Sequence, residues 1–327
     1  MRRLEVAIER FPIAGRFIIA RGARTEAVVV TATITDGTAT GRGECVPYAR
    51  YGETVEGVAA AIEAQRGAIE SGLDRAGLQE AMPAGAARNA IDCALWDLDA
   101  KRTGVPAHVS AGLDRLGPVT TAFTISLDAP EAMADAAAKA ASRPILKIKL
   151  GAPDGDRARI RAVREAAPDS TLIADANEGW TAANLEENLA ACGEAGFALI
   201  EQPVPADRDE ILRGIRRPVP LCADESVHDR NGLDRLVGLY DAVNIKLDKT
   251  GGLTEALAMA EAAAARGFSL MIGCMLGTSL AMAPALLLAP RCRFVDLDGP
   301  LLLARDREGG LVYEGSLVRP PSPSLWG

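Results

Sequence analysis

From about residue 119 onward the chain repeats a single pattern: a short apolar segment that ends in a polar residue, then a loop, then an alanine-rich stretch. The segments end at Thr124, Lys149, Asp175, Glu201, Asp224, Lys246, Cys274 and Asp296, at intervals of 22 to 28 residues. A strand, a helix and two loops use about that length, and strands that alternate with helices pair in parallel. Eight such strands close into a β/α barrel more readily than they extend as an open sheet. After Asp298 only a tail rich in Gly and Pro remains, so seven β/α units and a final strand are expected. The fold class is α/β, a modified TIM barrel of the (β/α)7β type.

The first hundred or so residues have a different character. Val28-Val29-Val30 and the stretch 31–44, with its Asp36-Gly37 turn, predict antiparallel strands. Helices are predicted over 53–71 and 86–102, where Ile91, Ala94, Leu95 and Leu98 recur at helical spacing. Gly104, Pro106, Gly112, Gly117 and Pro118 mark the exit from this α+β unit. The predicted division is 1–115, 116–305 for the barrel, and a C-terminal segment over 306–327. Gly41-Arg42-Gly43 and Gly251-Gly252 do not form a phosphate-loop pattern and read as turns.

Composition excludes several partners. A net charge of −8 with 4% aromatics offers neither the basic footprint nor the stacking platforms of nucleic-acid binding. The six cysteines contain no Cys-x-x-Cys, so they read as reduced, mostly buried thiols. Residues 269–290 carry no charge, but Gly273, Gly277, Thr278, Ser279 and Pro284 break them into strand, turn and helix, so no membrane span is expected. No apolar leader follows Met1, and a cytoplasmic compartment is expected. A small molecule is the expected partner, and a homo-oligomer is compatible with the chain.

The barrel strands place charges on one phase. Alternate residues of a strand face opposite sides, and in a barrel the outer side lies under helices. If Leu146, Ile148 and Leu150 face outward, Lys147 and Lys149 face the axis. The same phase turns Asp175, Asn177, Glu201, Asp224, Asn244, Lys246, Asp296 and Asp298 inward. All lie at strand C-terminal ends, where barrel enzymes carry their chemistry. Asp175, Glu201 and Asp224 form a hard oxygen set without thiol or histidine, which favours magnesium. Solvated strand-end charges, or a carboxylate group neutralised by Lys147, Lys149 and Lys246, account for the same residues without an ion.

At these positions the sequence resembles the enolase superfamily, in its muconate-lactonizing-enzyme-like branch, and within it the dipeptide epimerases. The resemblance rests on Lys147-Ile148-Lys149, Asp175-Ala176-Asn177, Glu201-Gln202-Pro203, Asp224-Glu225-Ser226 and Asn244-Ile245-Lys246. It extends to residues 17–22, 47–53, 83–98, 244–257 and 296–300, and so spans nearly the whole chain. It implies that the N-terminal unit caps the barrel mouth and that the C-terminal segment packs back on the cap. It implies that Asp175, Glu201 and Asp224 ligate Mg2+, with Mn2+ as a substitute. Lys149 and Lys246 are then the two acid/base groups of a 1,1-proton transfer through an enediolate, and Lys147 holds the substrate carboxylate. Asp296 and Asp298 match a pair that binds the α-ammonium of a dipeptide, and Arg24, or else Arg21, would select an acidic side chain at the inverted residue. Cell-wall peptide metabolism is the implied setting. The rival readings are an o-succinylbenzoate synthase, N-acylamino-acid racemase or cycloisomerase of the same branch, a Schiff-base barrel aldolase, and a non-catalytic metal-binding barrel.

Overall fold

The computed structural model describes residues 2–327 of the chain. Its centre is a parallel sheet of eight strands in sequential order: Phe123–Ile125, Ile145–Lys149, Thr171–Asp175, Leu199–Glu201, Leu221–Ala223, Ala242–Ile245, Ser269–Gly273 and Phe294–Asp296. The first and last strands meet through single bonds in place of a ladder. Ala122 donates its amide to Val295 O at 2.8 Å, and Leu297 donates to Thr121 Oγ1 at 2.8 Å. The sheet is thus nearly closed.

The two-residue period of the strands splits each one between two environments. Leu146, Ile148, Leu172, Ala174, Ile200, Val243, Ile245 and Ile272 point outward into one large core beneath the helices. Inside the barrel, Ala122, Ile173, Leu199, Cys222, Ala242, Met271 and Phe294 form a separate apolar plug. On four of these strands a carboxylate, Asp175, Glu201, Asp224 or Asp296, stands two positions further along, so the interior changes there from oil to ions within one strand step.

Two of the seven outer connections differ from the expected helix. After Glu201 and after the fifth strand the chain makes only 3-10 turns, Ala206–Leu212, Arg230–Gly232 and Asp234–Leu236. Pro203, Pro205, Pro218 and Pro220 bracket the first connection, and Gly232 and Gly238 interrupt the second, which leaves neither a full run of helical positions.

The cap is an antiparallel sheet of Arg3–Ile19, Gly22–Asp36 and Ala39–Cys45, packed on the helices Val55–Ala64 and Ala86–Thr103. The reading of Gly41-Arg42-Gly43 as a turn is corrected here. Both glycines lie in mid-strand, and a Cβ on Gly41 or Gly43 would stand 2.2 Å from Ala94 O or 2.1 Å from Ala90 O. They are small because a helix backbone passes directly over them. Near the chain end, Arg42 donates to Ser324 O and Leu325 O, and Trp326 Nε1 donates to Cys93 O at 3.0 Å. All six cysteines are free, and among the described residues no helix is long and apolar enough to cross a membrane.

Cap and barrel also meet through buried polar contacts. Glu44 of the third cap strand accepts from Thr278 N at 2.8 Å and from Arg307 Nη2 at 2.7 Å. Asp248, just after the sixth barrel strand, accepts from Val46 N at 3.0 Å and Asn89 Nδ2 at 2.8 Å. Burial pushes the Asp248 carboxyl up to about 7. The folded state therefore keeps a proton that the unfolded chain releases near pH 4. The stability this group contributes is full below that pH and is lost as pH rises through about 7. Asp248→Asn keeps the acceptor and removes the charge. Relative to the unaltered protein, its thermal stability should rise between about pH 4 and 7 and level off above, by a few kcal/mol at about 1.4 kcal/mol per pH unit. A stability difference that stays constant across that range would show that the carboxyl titrates normally.

Candidate active site

The inward residues gather at the strand C-terminal ends in one buried ion cluster. Lys149 Nζ lies 2.6 Å from Asp175 Oδ2, and Lys246 Nζ lies 2.7 Å from Asp224 Oδ2. Between these pairs, Lys147 Nζ touches Asp296 Oδ2 at 2.6 Å, Glu201 Oε2 at 2.7 Å and Asp175 Oδ2 at 3.1 Å. Asn244 Nδ2 donates to Glu201 Oε1 at 2.7 Å. Asn177, Glu178 and Gln202, which follow Asp175 and Glu201, have φ of 45°, 68° and 34°. Backbone held in that region by non-glycine residues concentrates at functional sites.

Electrostatics separate the three carboxylates. Burial works to raise Asp175 and Asp224, but Lys149 and Lys147 hold the first, and Lys246 and Lys249 the second, below the ordinary range. At Glu201 burial, with Asp175 alongside, outweighs Lys147 and Lys246 and pushes it up to about 7. Its Oε2 is buried without a hydrogen bond, because the contact with Lys147 is close but poorly directed. A cation beside Glu201 would supply the missing compensation, and the oxygen-only donor set suits magnesium. As they stand, no three acidic, histidine or cysteine side chains among the described residues are spaced to hold one ion. Ammonium groups lie against those oxygens and neutralise them.

The same contacts act on the lysines. A lysine base requires a lowered pKa. Burial favours that for Lys246, but Asp224, and Glu201 at 3.9 Å, drive it upward. Sharing those carboxylates with a divalent cation weakens their hold on the ammonium.

Above the cluster opens a cavity of about 420 Å³ lined by Lys149, Lys246, Asp224, Tyr51, Arg24 and Cys274, among others. Both candidate acid/base lysines therefore reach it. Asp296 and Asp298 do not: Asp296 is bound to Lys147, and Asp298 Oδ2 accepts from Thr124 N at 2.7 Å. Burial and the neighbouring Asp296 push Asp298 up to about 7, and Asp296 Oδ1 has no hydrogen-bond partner.

The two arginines of the cap hairpin part company. Arg21 is engaged with Glu225 Oε1 at 2.6 Å, Asn177 O at 2.8 Å and Tyr48 OH at 2.9 Å. It ties the hairpin to the barrel and has little left for a ligand. Arg24 is exposed on the cavity wall, 5.3 Å from the Tyr48 ring centre, and can meet an anion. Beyond these, sequence reasoning missed Lys249 and Glu225, which lie past the strand ends where the two-residue phase no longer applies.

Comparison with known proteins adds the family context. Residues 131–322 match the enolase C-terminal domain-like family, and residues 1–109 match the mandelate racemase / muconate lactonizing enzyme N-terminal domain. The chain is 47% identical to an L-Ala-D/L-Glu epimerase of Escherichia coli (strain K12), over 96% of this chain and 98% of the other. It is 45% identical to an N-acetyl-D-glutamate racemase of Pseudoalteromonas sp, over 91% and 95%. Among solved structures, an Agrobacterium tumefaciens enolase family member with homology to dipeptide epimerases, bound to sodium and L-Ala-L-Glu, superposes with a TM-score of 0.99 at 57% identity over 100% of both chains. A dipeptide epimerase from Enterococcus faecalis complexed with Mg and L-Leu-L-Tyr gives a TM-score of 0.90 at 31% identity, covering 97% of this chain and 96% of that one.

Proposed function

Because the chain belongs to the mandelate racemase / muconate lactonizing enzyme family of the enolase superfamily, we propose that it is a magnesium-dependent dipeptide epimerase of the L-Ala-D/L-Glu type, with a role in cell-wall peptide metabolism. The observation that carries this reading is the placement of Lys149 and Lys246 on opposite flanks of the carboxylate cluster, both open to one cavity. Removal of a proton from the α-carbon by one lysine places negative charge on the adjoining carboxylate, and delivery of a proton by the other lysine inverts the centre. Lys147 meets the carboxylate as a cation. Asp175, Glu201 and Asp224 would hold a magnesium ion, which when bound supplies Lewis-acid stabilisation of that developing charge.

Asp296 and Asp298 are assigned to the substrate α-ammonium, which would relieve the unpaired Asp296 Oδ1 once Lys147 turns to the substrate. Arg24 is assigned to the acidic side chain of the inverted residue, since its guanidinium is free and matches a carboxylate bidentately. Arg21 remains a weaker candidate because it is already paired.

A second reading, racemisation of an N-acylated amino acid, draws support from the buried position of Asp298, which does not reach the cavity wall. One panel separates the two. Free L-Ala-L-Glu should be epimerised far faster than either its N-acetyl form or N-acetyl-glutamate, because an acylated nitrogen cannot pair with the aspartates. Arg24→Met should slow Ala-Glu by a few kcal/mol of transition-state stabilisation while sparing Ala-Leu. Equal or faster turnover of the acetylated substrates would assign the protein to the racemase reading.

A further inference from the structure

Lys249 is a fourth lysine in the cluster, and like Lys147 but unlike Lys149 and Lys246 it does not line the cavity. It sits in the single helical turn Leu247–Thr250 after the sixth strand and is 1% exposed. Its Nζ donates to Asp224 Oδ1 at 2.6 Å, to Asp224 O at 2.6 Å and to Asn244 O at 2.9 Å. An ammonium group carries three protons, and all three are directed at these acceptors. None is left for a substrate, so Lys249 cannot be an acid/base group in this arrangement.

Its contacts describe a clamp. Lys249 holds Asp224 at both ends, by the main-chain carbonyl and by one carboxylate oxygen. That fixes the side-chain torsion and commits Oδ1 inward. The remaining oxygen, Oδ2, is the one that meets Lys246 at 2.7 Å, and Asp224 lines the cavity. The third contact, to Asn244 O, ties the clamp to the sixth strand, whose Asn244 side chain in turn holds Glu201 at 2.7 Å.

We infer that Lys249 is a positioning residue that presents Asp224 Oδ2, and only that oxygen, to the metal and to Lys246. The inference rests on the proposed role of Asp224 as a magnesium ligand. It makes Asp224 a one-oxygen ligand whose orientation is set before any ion arrives, which is how groups behind a ligand shell govern affinity.

The test measures magnesium binding to the full-length folded protein by titration calorimetry, beside kcat and KM and thermal unfolding. Lys249→Arg keeps the charge but replaces the point donor by a planar fork that cannot make the same three bonds. It should fold and bind Mg2+ about 10- to 100-fold more weakly, with kcat reduced and KM for the dipeptide within about threefold of the unaltered value. Lys249→Met should weaken binding at least as much in the unaltered background and should have no further effect when combined with Asp224→Asn. Should Lys249→Met not fold, the Lys249→Arg measurement decides. Magnesium affinity within about twofold of the unaltered protein for Lys249→Arg, when Asp224→Asn alone measurably weakens it, overturns the inference by itself. The same weakening by Lys249→Met in both backgrounds also overturns it. Undiminished binding by Asp224→Asn overturns the metal assignment and this inference with it.

Discussion

Lys149→Ala should slow epimerisation by roughly 100- to 10,000-fold while leaving the α-proton of one stereoisomer still exchanging with deuterium oxide, and Lys246→Ala should do the same for the other stereoisomer. The reason lies in the flanks these residues occupy: Lys149 sits on Asp175, from the second and third strands, and Lys246 sits on Asp224, from the fifth and sixth. An α-carbon bound between them presents its hydrogen to one lysine in the L form and to the other in the D form. Removing one base leaves the opposite face served, so abstraction and return continue there without inversion. The measurement is loss of the α-proton signal by NMR for each separate isomer. Exchange of the same isomer by both variants would eliminate the two-base mechanism.

Chelation should abolish activity in the unaltered protein, and added magnesium or manganese should restore it. Glu201→Gln should be nearly as damaging as the lysine variants. Glu201 is the carboxylate with an unbonded buried oxygen and a pKa pushed up to about 7, so it has the most to gain from a bound cation. An amide there keeps the hydrogen bond from Asn244 and forfeits the charge. Turnover that survives exhaustive chelation would remove Asp175, Glu201 and Asp224 from the metal and leave them as partners of Lys147, Lys149 and Lys246.

The barrel was legible because a parallel strand under helices obeys a simple rule, in which every second residue must be apolar and the break in that rule marks the strand end. Lys147, Asp175 and Lys246 were found by that rule and are buried where it puts them. It could not reach Lys249 or Glu225, which follow the last paired residue, where the backbone turns and sequence spacing no longer reports direction. In the cap, the strand Arg3–Ile19 escaped notice because Arg10, Pro12 and Gly15 interrupt its alternation and much of it is solvent-facing. The short helix Arg75–Ala81 did carry a signal, since Asp74 caps it by accepting from Gly77 N at 2.8 Å. The pairing of Arg21 with Glu225 was beyond sequence reasoning altogether, because it joins residues from two different domains.

The apolar plug at the lower end of the barrel axis has a consequence for isotope traffic. Ile173, Leu199, Met271 and Phe294 seal the axis below the ions, so the well that holds Lys149 and Lys246 is blind. Bulk water can reach their ammonium protons only through the mouth, which the Arg21 hairpin partly covers. With a substrate seated in that mouth, the hydrogen just taken from the α-carbon has no rear exit and stays among the three on that ammonium, any of which can return to the carbon, so a lysine deuterated before binding still delivers deuterium. Substrate recovered unchanged should therefore retain its original hydrogen more often than the chemistry alone requires, while the inverted product carries a hydrogen drawn from solvent before binding.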